Sequence, residues 1–269
     1  QGQAVGARAE DEGLTVGTYN LLHPGYAIMR PDGEGVYAGT HKVGVIPGTT
    51  AADLSESNWD IRCPAIGNIL SASALDVFFL QELGVKELED LRPFLAEYDV
   101  HHLIHPGRTA GDGVAVLTRR ERLTSIVQGV VGMEGKATTG EWHGRDFMVA
   151  ATVTVHDRHT DSRILLASVH FYAMKCLDPE GTLLRNLEKA RLETGCECVI
   201  WGGECNKVYR SLKGVVEYPA GYTTDVGKRL ATTTRGGKKL DWVFASSSAR
   251  VERTAATEQF RQRTACKLP

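Results

Sequence analysis

Ten residues, Glu197 to Asn206, constrain the fold of this chain more than any other stretch. A short apolar run, Cys198-Val199-Ile200-Trp201, halts at Gly202-Gly203 and then presents Glu204 and Asn206 with one residue between them. Bounded apolar runs of this length read as buried strands. Glycines at the end of such a run mark a turn or a close backbone approach. An acid and an amide at i and i+2 off a strand end can point the same way into a cleft. The pair suits the holding of a water and a phosphate oxygen, provided other strands bring polar groups to the same place.

Other strand ends carry such groups. Residues 14–20 alternate like a strand and end in Asn20. Residues 75–80 read as a buried strand running into Gln81-Glu82. Residues 147–155 and 163–169 read as two strands joined by a polar turn at 157–162, the second delivering His170. A further strand over 240–244 carries Asp241 near its start. A hydrophobic core has no use for Asn20, Glu82, His170, Glu204, Asn206 and Asp241 at these positions. Burying an unpaired acid costs several kcal/mol, so the six are expected to share a wet cleft or a metal. Hard divalent cations such as Mg²⁺ take oxygen ligands and keep waters for substrate. The set therefore fits phosphate-ester hydrolysis, with Mg²⁺ on Glu82 and Asn20 and with Mn²⁺ as a substitute.

The connections fill in an α/β pattern. Residues 25–56 are rich in glycine and proline and read as loop. A helix starts near Ser57-Asn58-Trp59-Asp60, with Ile61, Ile66, Ile69 and Leu70 on one face. Another spans about 85–98. His101, His102 and His105 sit in an alternating segment, where surface histidines of a sheet are commoner than ligands. Asp112 precedes a strand over 113–117. The best helix has Asp178 as N-cap and Pro179 in its first turn, and Gly195 closes it; Leu183, Leu187, Ala190 and Thr194 face inward. Residues 250–257 alternate weakly. This order predicts a mixed α/β sandwich in one domain over 14–269, after a loose tail over 1–13. Phosphate-loop and zinc-protease motifs are absent from the sequence.

A net charge of −2 gives no global basic field for nucleic acid, so a polyanion would be met by a metal or a few cationic side chains. The six cysteines include no C-x-x-C pair, which favours a reducing compartment, cytoplasmic or nuclear. A zinc site from Cys196, Cys198 and Cys205 is the rival to simple packing. No apolar run reaches membrane-spanning length and the N-terminus does not read as a signal peptide. No membrane partner is expected.

These strand ends resemble the motifs of the endonuclease/exonuclease/phosphatase superfamily, the group of deoxyribonuclease I. Thr18-Tyr19-Asn20-Leu21-Leu22 looks like its first motif, and Phe79-Leu80-Gln81-Glu82 like the strand ending in its metal-binding glutamate. Ser168-Val169-His170-Phe171 resembles T-H-L, Gly203-Glu204-Cys205-Asn206 stands in the place of G-D-F-N, and residues 240–244 resemble L-D-Y-I-F. Trp59 with Arg62, Asp112-Gly113 and the segment 170–175 are most similar to the nocturnin and carbon-catabolite-repression deadenylase branch. The resemblance implies two packed mixed sheets flanked by helices, in a four-layer sandwich. It implies Mg²⁺ on Glu82 and Asn20, His170 and Asn206 on the scissile phosphate, and Arg62 and Lys175 as candidate phosphate contacts. The substrate it implies is RNA, poly(A) or a nucleotide phosphate.

Two departures stand out. Glu204 occupies a position where the family has aspartate, one methylene shorter. The family's final S-D-H motif has no clear counterpart; Thr257-Glu258-Gln259 aligns as a decayed copy, and the better reading is a sequence that stops before its last strand. Both departures leave a second expectation open, a catalytically impaired relative that binds nucleic acid or a protein partner.

Overall fold

The computed structural model describes residues 13–21, 23–24, 28–29, 35–36, 59–105, 111–133, 148–171, 179–205, 222–224 and 241–246. Its strands are β1 (Val16–Asn20), β2 (Ile28–Met29), β3 (Gly35–Val36), β4 (Val77–Gly84), β5 (Tyr98–Ile104), β6 (Asp112–Arg119), β7 (Leu123–Met133), β8 (Met148–Asp157), β9 (Ser162–His170), β10 (Cys198–Glu204), β11 (Tyr222–Thr224) and β12 (Asp241–Ser246). The helices are α1 (Trp59–Ser73), α2 (Val85–Leu91) and α3 (Pro179–Thr194). A four-stranded sheet has the order β1-β4-β6-β5, and a six-stranded sheet the order β11-β12-β10-β9-β8-β7. Both are mixed, because β1–β4 and β9–β10 pair in parallel while the other ladders in the two sheets are antiparallel. β2 and β3 form a small antiparallel pair within the stretch expected to be loop.

Side-chain alternation sorts the strands into layers. On β4, Val77 and Phe79 join Val114, Val116, Val153, Leu166 and Ile200 in the core between the sheets. Phe78 and Leu80 point the other way, against Trp59, Cys63, Ile66 and Leu70 of α1 and Leu88 and Leu91 of α2. On the far side, Leu183 and Leu187 of α3 pack on Val199, Trp201 and Phe244. Burying each of those leucines contributes roughly 1.5–3 kcal/mol. The result is the expected four-layer α/β sandwich.

Local differences have physical reasons. α1 buries Trp59, Cys63, Ile66, Gly67 and Leu70, while Ile61 lies outside that face and is 56% exposed. The helix expected over 85–98 ends at Leu91, where Pro93 lies in a 3₁₀ turn, Arg92–Phe94. Gly195, at φ +64°, terminates α3 in the left-handed conformation that glycine adopts at least cost. β7 has no counterpart in the sequence reading. Residues 250–257 lie outside the described residues, as does Asp178.

Candidate active site

The parallel pairs β1–β4 and β9–β10 run their C-terminal ends to one edge of the sandwich. Inward alternation continues through Val16, Thr18 and Asn20 on β1 and through Ile200, Gly202 and Glu204 on β10. Glu204 lies in register with His170 on one side and Asp241 on the other. Glu82 arrives by a different device. The β4–β6 register shifts between Gln81 and Leu83, leaving Glu82 as the extra residue of a bulge with φ +57°. Left-handed backbone at a non-glycine residue costs about 1–2 kcal/mol and is found where surrounding structure enforces it. Here it lets Leu83 return to the helix-side core while the Glu82 carboxylate turns toward Asn20.

The four side chains meet. Asn20 Nδ2 donates to Glu82 Oε1 at 3.0 Å and also contacts Glu204 Oε2. His170 Nε2 lies 3.4 Å from Glu204 Oε2 and 3.8 Å from Glu82 Oε1. The His23 main-chain N–H donates to Glu82 Oε2 at 3.0 Å. One ligand atom from each of Glu82, His170 and Glu204 fits within a mutual separation of 4.8 Å. Two carboxylates drawn together need positive charge between them, and the Asn20 amide and the His170 ring crowd into that space. A hard divalent cation fits this donor set, with Asn20 turning its amide to offer oxygen.

The floor beneath is polar but satisfied. Gln81 is fully buried; it accepts from Thr18 Oγ1 at 3.2 Å and donates to Ser168 Oγ at 3.3 Å. Ser168 in turn donates to the Leu80 carbonyl at 3.0 Å, so the rung ties one sheet to the other. Gly203, at φ +151°, lies against it. A Cβ there would strike the Val169 carbonyl and come within 3.1 Å of Gln81 Nε2. This is the physical reason for the second glycine of the Gly-Gly pair.

Behind His170 lie His105 and Asp112, with relative exposures of 1% and 0%, and the three offer ligand atoms within 4.8 Å of one another. His105 Nδ1 accepts from the Val149 N–H at 3.4 Å, so a neutral ring carries its hydrogen on Nε2. His105 and Asp112 are not among the metal or catalytic residues expected from the sequence. The signal was there, since His101, Leu103 and His105 alternate onto the inter-sheet face. His101 is satisfied by the Gly129 carbonyl at 2.8 Å and His102 by the Leu83 carbonyl at 2.7 Å. Burial pushes the His102 ring below its usual pKa, which keeps it neutral.

Arg62 donates from Nη1 to the Leu21 carbonyl at 2.7 Å and lies over the Trp59 ring at 5.5 Å. Asp241 stands at the start of β12 opposite Glu204; its side chain, like Asn206 and Lys175, lies outside the described residues. Among the described residues no metal-capable group includes a cysteine, and burial pushes the Cys198 thiol up to about 11. The zinc alternative therefore gains nothing. No helix of the described residues is long and apolar enough to cross a membrane.

No protein-family model matches the chain, and no curated protein sequence does. Solved structures do match. A mannosyl-6-phosphatase of Bacteroides thetaiotaomicron superposes with a TM-score of 0.59 at 16% identity, covering 88% of this chain and 86% of that one. An endonuclease/exonuclease/phosphatase of Bacteroides vulgatus gives 0.58 at 15% identity, over 87% and 86% of the two chains. This chain has the endonuclease/exonuclease/phosphatase fold. The human nocturnin catalytic domain, with bound sulfate, gives 0.56 at 17% identity over 72% and 77%. ANGEL2, a 2′,3′-cyclic phosphatase in complex with adenosine-2′,3′-vanadate, gives 0.60 at 14% identity over 93% and 90%.

Proposed function

We propose that this chain is a divalent-cation-dependent phosphoester hydrolase that takes Mg²⁺ and acts on an RNA 3′ end, poly(A) or a nucleotide phosphate. The single observation that carries the proposal is the meeting of Asn20, Glu82, His170 and Glu204 at one edge of two stacked sheets. The fold likeness to phosphatases and to nocturnin and ANGEL2 supports the same chemistry.

Glu82 and Asn20 are the residues that would hold the cation, with Glu204 beside them. When bound, Mg²⁺ neutralises phosphate charge and polarises the phosphoryl group. His170 presents Nε2 to the same space and donates a hydrogen bond to a non-bridging phosphoryl oxygen. The Glu204 carboxylate orients the attacking water and accepts its proton as the new P–O bond forms. The ester P–O bond breaks, the leaving oxygen takes a proton from bulk water, and Glu204 releases its proton to solvent to close the cycle. Asn206, Asp241, Arg62 and Lys175 are proposed around the phosphate. Preorganised donors of this kind typically contribute about 10²–10³ in rate each.

The contacts of the Glu204 carboxylate with Asn20 and its approach to His170 Nε2 support a working role for the longer side chain in this chain. Shortening it by one bond, about 1.5 Å, is expected to lower turnover by about a hundredfold. The test is hydrolysis of oligo(A), 2′,3′-cyclic nucleotides, nucleotide monophosphates and sugar phosphates, with Mg²⁺ and with chelator. Cation-dependent turnover of one class, lost in Glu82→Gln and reduced in Glu204→Asp, is the expected result. Turnover of none by the wild-type chain removes the hydrolase reading and leaves the binding module.

A further inference from the structure

We infer that His23, anchored by Glu87, is a positioning residue for the Glu82 carboxylate and sets how tightly the site holds its cation. The inference rests on the metal role proposed for Glu82.

Four contacts fix the segment that leaves β1. The Leu21 N–H donates to the Gln81 carbonyl at 3.0 Å, and the Leu21 carbonyl accepts from Arg62. Two residues on, the His23 N–H donates to Glu82 Oε2. The His23 ring places Nε2 3.5 Å from Glu87 Oε2, with the two side chains 11% and 10% exposed. Glu87 belongs to the first turn of α2, which begins immediately after β4. The main-chain donor to Glu82 is therefore held by a contact between the exit of β1 and the helix that follows the Glu82 bulge.

Gly84 makes room for this contact. A Cβ at that position would strike Glu87 Oε2 and approach His23 Nε2 to 2.9 Å. Gly84 has ordinary extended backbone at φ −83°, so space rather than conformation calls for glycine here. The chemistry needs the arrangement because Glu82 has one oxygen toward Asn20 and the other toward His23. With Oε2 fixed by the N–H, Oε1 is left facing Asn20 and His170. Partners that orient a ligating carboxylate in this way are typically worth about 10- to 100-fold in metal affinity.

Calorimetric titration of Mn²⁺ into the full chain tests the inference without any substrate. His23→Ala and Glu87→Ala are each expected to weaken Mn²⁺ by about 10- to 100-fold, and Gly84→Ala to act in the same direction. The double variant is expected to lose little more than either single one, because both act through one contact. His23→Gln, which keeps an N–H donor toward Glu87, is expected to recover most of the affinity. Near-UV circular dichroism identifies folded variants; should His23→Ala unfold, the comparison is read from Glu87→Ala and Gly84→Ala. Wild-type affinity in folded His23→Ala or Glu87→Ala overturns the positioning role, as do losses that add fully in the double variant. Absence of Mn²⁺ binding to the wild-type chain overturns the metal role of Glu82 instead, so the two failures are distinguishable.

Discussion

At the scale of the residue, Glu82 concentrates the tension between stability and chemistry. It is one of three described non-glycine residues with positive φ, and it shares the Asn20 amide with a second carboxylate. Asparagine tolerates left-handed backbone better than glutamate, and its substitution also removes one negative charge. Glu82→Asn is therefore expected to raise stability by about 1 kcal/mol in chemical denaturation while abolishing cation binding. Equal or lower stability would show that the bulge backbone is not strained. The polar residues themselves were legible: Asn20, His170 and Glu204 each end an apolar strand, and alternation alone aims them inward. The left-handed turn at Glu82 was not, because a bulge leaves no mark in composition. Nor was His23, which acts on Glu82 through a main-chain N–H that every non-proline residue carries.

At the scale of the element, register decides what can be read. β8, β9, β10 and α3 keep one period throughout, and their patterns predict them within a few residues. β7 shifts register between Ser125 and Val127, so its alternation breaks. As an edge strand it also leaves Ile126, Val127 and Val130 exposed, which hides the usual inward-apolar signal. In β10 the glycines were legible as a close approach, but what they approach was not. Gly203→Ala forces a Cβ onto the Val169 carbonyl in a backbone region that alanine rarely adopts. The expected cost is about 3 kcal/mol, read as a lower denaturation midpoint with loss of the site. A loss under 1 kcal/mol would mean that β9 and β10 separate easily at this end.

At the scale of the whole molecule, the two sheets are clamped by polar groups at points far apart in sequence. At the site the clamp is Gln81 and Ser168; at another point it is Arg122. Arg122 donates from Nε and Nη2 to Asp157 at 3.0 and 2.9 Å and from Nη1 to Asp76 at 3.1 Å, all in the interior. Burial alone would push the Asp157 carboxyl up, but the Arg122 guanidinium and the His159 N–H hold it below the usual range. Its contribution is therefore full above the unfolded carboxylate pKa, about 3.9. It is lost as pH falls through the lower folded value. Arg122→Ala strands buried carboxylates and is expected to cost about 3–5 kcal/mol at neutral pH. The difference from wild type should shrink in acid below about pH 4; a difference independent of pH would assign the loss to packing instead.

One divalent cation held between the ends of β1, β4 and β10 is central to the proposed function. Anomalous diffraction from crystals grown with Mn²⁺ tests it directly. A single strong peak coordinated by Glu82, with Glu204 and Asn20 around it, is the predicted result. A site without density there, in crystals whose Mn²⁺ is bound elsewhere on the chain, would contradict it.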